Sequence, residues 1–378
     1  MSSVYLDSCA TTQVDPRVGE IVQKFLLDEY GNAGSRTHSW GAQAAKAIEE
    51  ARQRIASPIN SNPEEIIFTS GATESNNIAL LGMVKHAEEV NKLHVITTAI
   101  EHKAVLEPTD YLKDLGFDVT VLPVDEKGWP DPNALSDALR PETILVSTMH
   151  VNNETGIELP LSDYSAVLTD HDAWWHVDAA QSYGKINQAL CDARIDLISI
   201  SGHKVFAPKG IGALVVRRRG YDRPPLTPLV YGGGQERGLR PGTLPVALIS
   251  GLGLAAELAE KESSTRKKSC LEYKTRVLSA LTPLGIEING DLERMVPHVL
   301  NISIPGLDAE AALVATKDLI AISNGSACTS SSYELSHVLS SMGLGDNRVS
   351  EALRISWDHQ TPDPDWDLVV ERLSSIRK

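Results

Sequence analysis

Cysteine is scarce. The 378 residues contain 4, at positions 9, 191, 270 and 328, and no two form a C-x-x-C pair. The spacing excludes the common zinc and dithiol frameworks and leaves no metal site to expect. So few thiols in so long a chain suit a reducing, cytoplasmic setting. A basic surplus is also missing: 35 Lys and Arg stand against 50 Asp and Glu, a net charge of −15. This argues against direct tracking of nucleic-acid phosphates, so no direct nucleic-acid partner is expected. No apolar run reaches the ~18 residues that a membrane-spanning helix needs. The start, Met1-Ser-Ser-Val-Tyr-Leu-Asp, has neither the basic region nor the apolar stretch of a secretory signal. Repeats and low-complexity linkers are absent too. The remaining material is that of a folded protein, 42 % hydrophobic and 22 % charged, which can form a large core. At ~150 residues per domain the length allows two or three domains.

Short β-rich runs recur at 66–69, 94–98, 118–122, 144–149, 174–178, 196–201 and 212–217. Helical patterns at 74–90, 104–115, 133–139 and 161–171 separate most of them. This alternation predicts a seven-stranded, mainly parallel α/β sheet with helices on both faces. The gap between 201 and 212 is shorter than the dozen residues a parallel crossover usually takes, so run 212–217 is expected to be antiparallel. The last third reads as a smaller α+β unit. It has helices over about 247–262 and on to 281, 309–317, 334–342 and 366–376, and strands at 299–304, 320–323 and 352–357. The expected division is a large domain of 15–259 and a small one of 1–14 with 260–378, joined inside a helix.

Three segments carry chemistry. Ser70-Gly71-Ala72-Thr73-Glu74 follows a strand and opens a helix, so the first-turn N–H groups and the Thr73 hydroxyl make an anion site. Its plain alternative is an ordinary helix cap. His176-Val177-Asp178 ends a strand, where ligands of α/β sheets bind, although an Asp there also caps helices. Lys204 directly follows an apolar strand, in Ser201-Gly202-His203-Lys204. A partly dry amine loses its charge more easily and can form a Schiff base, whereas a surface lysine would merely snorkel outward. Each segment alone permits the plain reading. Together, a phosphate cradle, a strand-end carboxylate and a strand-end amine are what pyridoxal 5'-phosphate requires.

The sequence resembles the cysteine desulfurases of the class V aminotransferase family. The likeness is carried by Tyr5-Leu-Asp-Ser-Cys-Ala-Thr-Thr, Gly31-Asn-Ala-Gly-Ser-Arg-Thr-His, Phe68-Thr-Ser-Gly-Ala-Thr-Glu-Ser-Asn and Glu101-His-Lys-Ala-Val. Further along it continues in Met149-His-Val-Asn-Asn-Glu-Thr-Gly, the Asp178 and Lys204 segments, Arg240-Pro-Gly-Thr-Leu-Pro, Asn324-Gly-Ser-Ala-Cys-Thr-Ser and Leu353-Arg-Ile-Ser. The resemblance implies the fold type I architecture of pyridoxal phosphate enzymes. It implies that Lys204 holds the cofactor covalently, that Asp178 faces the pyridine nitrogen, and that Gln181 and Asn153 approach the phenolic oxygen. By the same likeness His102 stacks on the ring and moves protons, while Ala72, Thr73, Ser201 and His203 hold the phosphate. Thr243 would reach a phosphate across a homodimer interface. Asn32 and Arg354, with Asn153, would bind the carboxylate of L-cysteine, a task that suits a guanidinium fork.

Cys328 sits in a small, polar, Gly- and Ser-rich stretch, which makes it the expected sulfur carrier rather than a packed core thiol. The other three cysteines read as plain packing residues, with Cys9 the most open to a role because the resemblance puts its segment near the family's site. The implied reaction converts L-cysteine to L-alanine and leaves a persulfide on Cys328 for an acceptor protein. A selenocysteine lyase or sulfinate desulfinase on the same fold is the enzymatic alternative, and relative rates on cysteine and selenocysteine separate them. A non-catalytic scaffold is the other, tested by the colour of added pyridoxal phosphate. The form of Gly31-Asn-Ala-Gly-Ser-Arg-Thr-His and the short tail after the last helix resemble desulfurases of DNA phosphorothioation systems more than those that meet the iron–sulfur scaffold.

Overall fold

A computed structural model describes residues 3–324 and 335–377. Its principal sheet has seven strands in the spatial order Ile66–Thr69, Gly212–Val216, Leu197–Ser201, Trp174–Asp178, Thr143–Met149, His94–Thr98 and Asp118–Leu122. Gly212–Val216 is antiparallel to both neighbours, and the remaining pairs are parallel. The expected seven strands, and the reversed one, are therefore all present. The inner strands, such as His94–Thr98, Thr143–Met149 and Leu197–Ser201, are buried on both faces, as helix-covered parallel strands should be, whereas the edge strand Asp118–Leu122 is mostly exposed or half-buried. Several of the polar residues that enter are paired, although the Thr97 hydroxyl has no partner among the described residues. His176 lies between Ser147 and Ser199 at 2.8 and 2.9 Å, a ladder across three strands directly below Asp178.

The helical pattern at 74–90 resolves into two helices, Ala72–Leu81 and Val84–Val90. The break falls at Gly82, whose carbonyl accepts from the Thr227 amide at 2.9 Å and hydroxyl at 3.0 Å instead of continuing the helix.

One outer edge of the sheet is finished by side chains. Beyond strand Ile66–Thr69, Arg52 donates to the Ile66 carbonyl, and Glu236 accepts from the Phe68 amide at 2.7 Å. Arg52 and Glu236 are themselves ion-paired.

A three-stranded antiparallel sheet has Val299–Ser303 between Ala352–Ser356 and Glu287–Ile288. Val4–Tyr5 pairs in parallel with Ile320–Ala321. Two large apolar clusters follow these sheets. Helices Pro16–Leu27, Ser39–Ala56 and Val246–Lys261 contribute Val18, Ile48, Ile55 and Leu252 to the cluster that holds Trp175. Gly253 lets two of them touch, because a Cβ there would stand 2.7 Å from the Ala51 Cα. The next helix, Ser263–Leu281, instead sends Tyr273, Val277 and Leu281 into the cluster that holds Leu353, Ile355 and Trp357. No helix among the described residues is long and apolar enough to cross a membrane.

Candidate active site

A cavity of about 540 Å³ opens at the carboxyl ends of the parallel strands. Ala72, Thr73, His102, Asn153, Asp178, Gln181, Ser201, His203, Lys204 and Arg354 all line it. The parallel strands supply most of them for a simple reason: each chain leaves its strand there and its side chains turn inward.

Asp178 ends strand Trp174–Asp178 and is buried. One carboxylate oxygen accepts from Asn76 Nδ2 at 2.8 Å, and the other from the Ala180 amide at 2.8 Å. Lys204 closes the short turn Gly202–Lys204 after strand Leu197–Ser201. His102 caps helix Lys103–Asp114, its Nδ1 accepting from the Ala104 amide at 3.0 Å. That bond leaves the neutral ring its proton on Nε2. Burial, with Lys204 and His337 nearby, holds the His102 pKa below its ordinary value against the pull of Asp178. His203 is pushed down to about 4 by burial and by Lys204 and Lys209. Both rings are thus neutral at pH 7.

The phosphate-sized end lies at the start of helix Ala72–Leu81. Gly71 precedes it at φ +157°, without a side-chain cap on the first turn, and nothing stands within 4 Å of where a Cβ would be. Unused first-turn N–H groups therefore face the cavity. Glu74, also on the cavity lining, is ion-paired with Arg240 at 2.9 Å.

Arg354 enters from the opposite side, on strand Ala352–Ser356. Its guanidinium is 3 % exposed, bonded to Asp7 Oδ1 at 2.7 Å and the Asn153 carbonyl at 3.1 Å. Burial works against its charge, but Cys9, Asp7 and Glu154 outweigh it and raise its pKa. Its main chain exchanges two hydrogen bonds with Ser323, at 2.6 and 3.2 Å.

Three buried atoms on this cavity have no hydrogen-bond partner among the described residues: Asn76 Oδ1, Gln181 Oε1 and Arg354 Nε. Orphaned polar atoms around a roomy cavity mark groups that a ligand completes. Together with an anion-binding helix start, a carboxylate and an amine, they fit pyridoxal phosphate at one end and a carboxylate substrate at the other.

Two expected residues stand elsewhere. Asn32 is exposed, its side chain accepting from the Gly34 amide at 2.8 Å, and Thr243 is exposed; neither lines the cavity. Cys328 lies outside the described residues. Conversely, Asn76 and Asp7 hold Asp178 and Arg354 without having been singled out, and Cys9, whose segment is expected near the site, lines the cavity. Cys9 is 2 % exposed and its carbonyl accepts from Gln181 Nε2 at 2.9 Å. Asn76 carries a weak sequence signal, four residues beyond the Ala72 start of a phosphate-binding turn.

A family model described as aminotransferase class-V matches residues 4–365. The chain belongs to that family. Among its class-V relatives, the mitochondrial cysteine desulfurase of Eremothecium gossypii is 45 % identical over 374 residues, covering 98 % of this chain and 75 % of that one. The crystal structure of DndA from Streptomyces lividans superposes with a TM-score of 0.82 at 47 % identity, covering 94 % and 99 % of the two chains. A structure of SspA in complex with cysteine gives 0.84 at 36 % identity over 95 % and 100 %. Class-V cysteine desulfurases depend on pyridoxal phosphate, and the cavity here fits that cofactor.

Proposed function

We propose that this class-V chain removes sulfur from L-cysteine, releasing L-alanine and holding the sulfur as a persulfide on Cys328. The observation that supports the reading best is the convergence of Lys204, Asp178, His102 and Arg354 on one cavity. Bound pyridoxal phosphate supplies an electron sink for the substrate's Cα. Lys204 would hold the cofactor covalently and, with cysteine bound, would move the proton at the substrate's Cα. Asp178, fixed by Asn76, keeps a proton on the pyridine nitrogen. Gln181 and Asn153 face the phenolic oxygen. Ala72, Thr73, Ser201 and His203 bind the phosphate. His102, neutral with its proton on Nε2, stacks on the ring and donates from that atom.

Arg354 binds the cysteine carboxylate, held in place by Asp7 and the Asn153 carbonyl. The Cys328 thiolate then attacks the substrate sulfur. The C–S bond breaks, its electron pair stays on Cβ, and protonation makes the methyl group of alanine.

In this reading Asn32 and Thr243 complete the site from the surface they share with a second copy, so the active form is a homodimer. We assign units of 15–259 and of 1–14 with 260–378, supported by the cluster around Trp357 being drawn mostly from the second, with Ile100, Met149, Ile157 and Leu159 of the first joining it. The sulfur goes to an acceptor protein. Resemblance of the Gly31-Asn-Ala-Gly-Ser-Arg-Thr-His segment favours one serving DNA phosphorothioation, in the cytoplasm.

The test is Cys328→Ser. The variant is expected to bind pyridoxal phosphate and cysteine normally and to lose sulfide and alanine production by orders of magnitude. A hydroxyl stays protonated where a thiol of pKa ≈ 8.5 is partly ionised. Wild-type protein given cysteine without reductant gains one sulfur atom, mapped by peptide mass. Sulfur on Cys9, Cys191 or Cys270, or full activity of the serine variant, would disprove the assignment. Solution mass at micromolar protein tests the dimer, which an active monomer contradicts.

A further inference from the structure

A second, much smaller cavity of about 40 Å³ lies apart from the first. It is walled by Gly184–Ile186, the helix Ser263–Leu281, His298 and the segment after Trp357. Two polar atoms there lack any hydrogen-bond partner among the described residues, Lys185 Nζ and His298 Nε2. His298 is 5 % exposed. Lys185 is half-buried, and its Nζ is shielded from solvent.

The surroundings offer these groups positive charge and few acceptors. Arg266, Lys267 and His359 share the lining. Asp358, the lining acid, already accepts from Ser8 Oγ at 3.2 Å and the Gln360 amide at 2.8 Å. Arg266 is taken by Glu262 at 2.7 Å. Burial pushes the Cys270 thiol up to about 12, so it supplies no anion. Burial also holds Lys185 below its ordinary pKa, and neighbouring Lys204 adds to the effect while Cys9, Cys270 and Asp358 oppose it. An ammonium has three donors and no acceptor capacity. A buried donor left unpaired is destabilising, and more so when charged.

We propose that this cavity is a site for a small inorganic monoanion, held between Lys185 Nζ and His298 Nε2. The cavity has room for one ion of halide or hydrosulfide size beside these two donors. The ion comes either from chloride in the medium or from hydrosulfide that a reductant frees from a persulfide. The site does not depend on the catalytic roles proposed above.

The experiment soaks crystals of the cofactor-loaded protein in bromide and locates it by anomalous scattering. A peak within hydrogen-bond reach of both atoms is expected, and Lys185→Met is expected to lose it. His298→Gln serves as a second variant, with at least about tenfold weaker occupancy at equal bromide. Competing chloride and hydrosulfide then identify the source by which of them displaces bromide at the lower concentration. Water alone in the cavity of the wild type, a peak that survives both variants, or a peak that neither competitor displaces would overturn the proposal.

Discussion

The two sheets bring their functional groups to the cavity in different ways. In the seven-stranded sheet the strand interiors are devoted to packing, and chemistry begins where each strand stops, at Asp178 and just after Ser201. In the three-stranded sheet Arg354 sits in mid-strand. Its neighbours Leu353 and Ile355 enter the apolar cluster, and the alternation of a strand sends the residue between them to the other face. One sheet therefore separates stability from function along the chain, whereas the other separates them across its faces. Substitutions should reflect this: those at the parallel strand ends act on the cofactor, and those on Arg354 act on the substrate.

The largest expected effect comes from Lys204→Ala. Turnover of cysteine falls by more than about 1,000-fold, and the visible absorption of bound pyridoxal phosphate changes with it. Normal turnover would remove Lys204 from the chemistry and break the distinction between the sheets.

Arg354→Lys is the converse. It keeps the charge but loses the fork that matches a carboxylate, and charged hydrogen bonds of about 1.5–3 kcal/mol translate into a KM for cysteine raised roughly 10- to 100-fold. Cofactor absorption should stay as in the wild type. A variant that loses cofactor and substrate binding together would show that the two regions are not separable.

Glu101 sharpens the comparison through pH. Its carboxylate is buried behind the parallel strand ends, accepting from Thr98 Oγ1 at 2.6 Å and the Met149 amide at 2.8 Å. Burial raises its pKa to about 8, against the hydrogen bonds and helped by Asp178. The folded protein thus keeps a proton that the unfolded chain releases above its ordinary value of 4.5. Stability attributable to this group falls as pH rises from about 4.5 to about 8. Glu101→Gln should flatten that decline, read as a smaller difference in thermal midpoint between pH 5 and pH 8. An unchanged slope would assign the pH dependence to other groups.

How much of this is legible in the sequence follows the same division. All seven strands of the large sheet are visible as apolar runs, and a short gap suffices to reverse Gly212–Val216. Strand-end residues such as Asp178 and Lys204 announce themselves by where a run stops. Arg354 does not, since a charged residue between two apolar ones is what any half-buried strand contains; only resemblance singled it out. Asn76 and Asp7 stayed hidden because their partners, Asp178 and Arg354, are 102 and 347 residues away. The break at Gly82 was unreadable for a similar reason. It depends on Thr227, a residue of a distant loop.

The Arg52–Glu236 pair beside strand Ile66–Thr69 has a consequence for solubility. An outermost strand is a template: its unpaired amides and carbonyls invite a strand from another molecule. Here the strand is short and buried, and a guanidinium and a carboxylate occupy the positions where an eighth strand would bond. The width of the sheet is therefore limited by two side chains that cannot themselves be extended. Loss of Glu236 would leave the Phe68 amide without its acceptor and free Arg52 from its partner, and the same sheet would gain a place for intermolecular growth during folding.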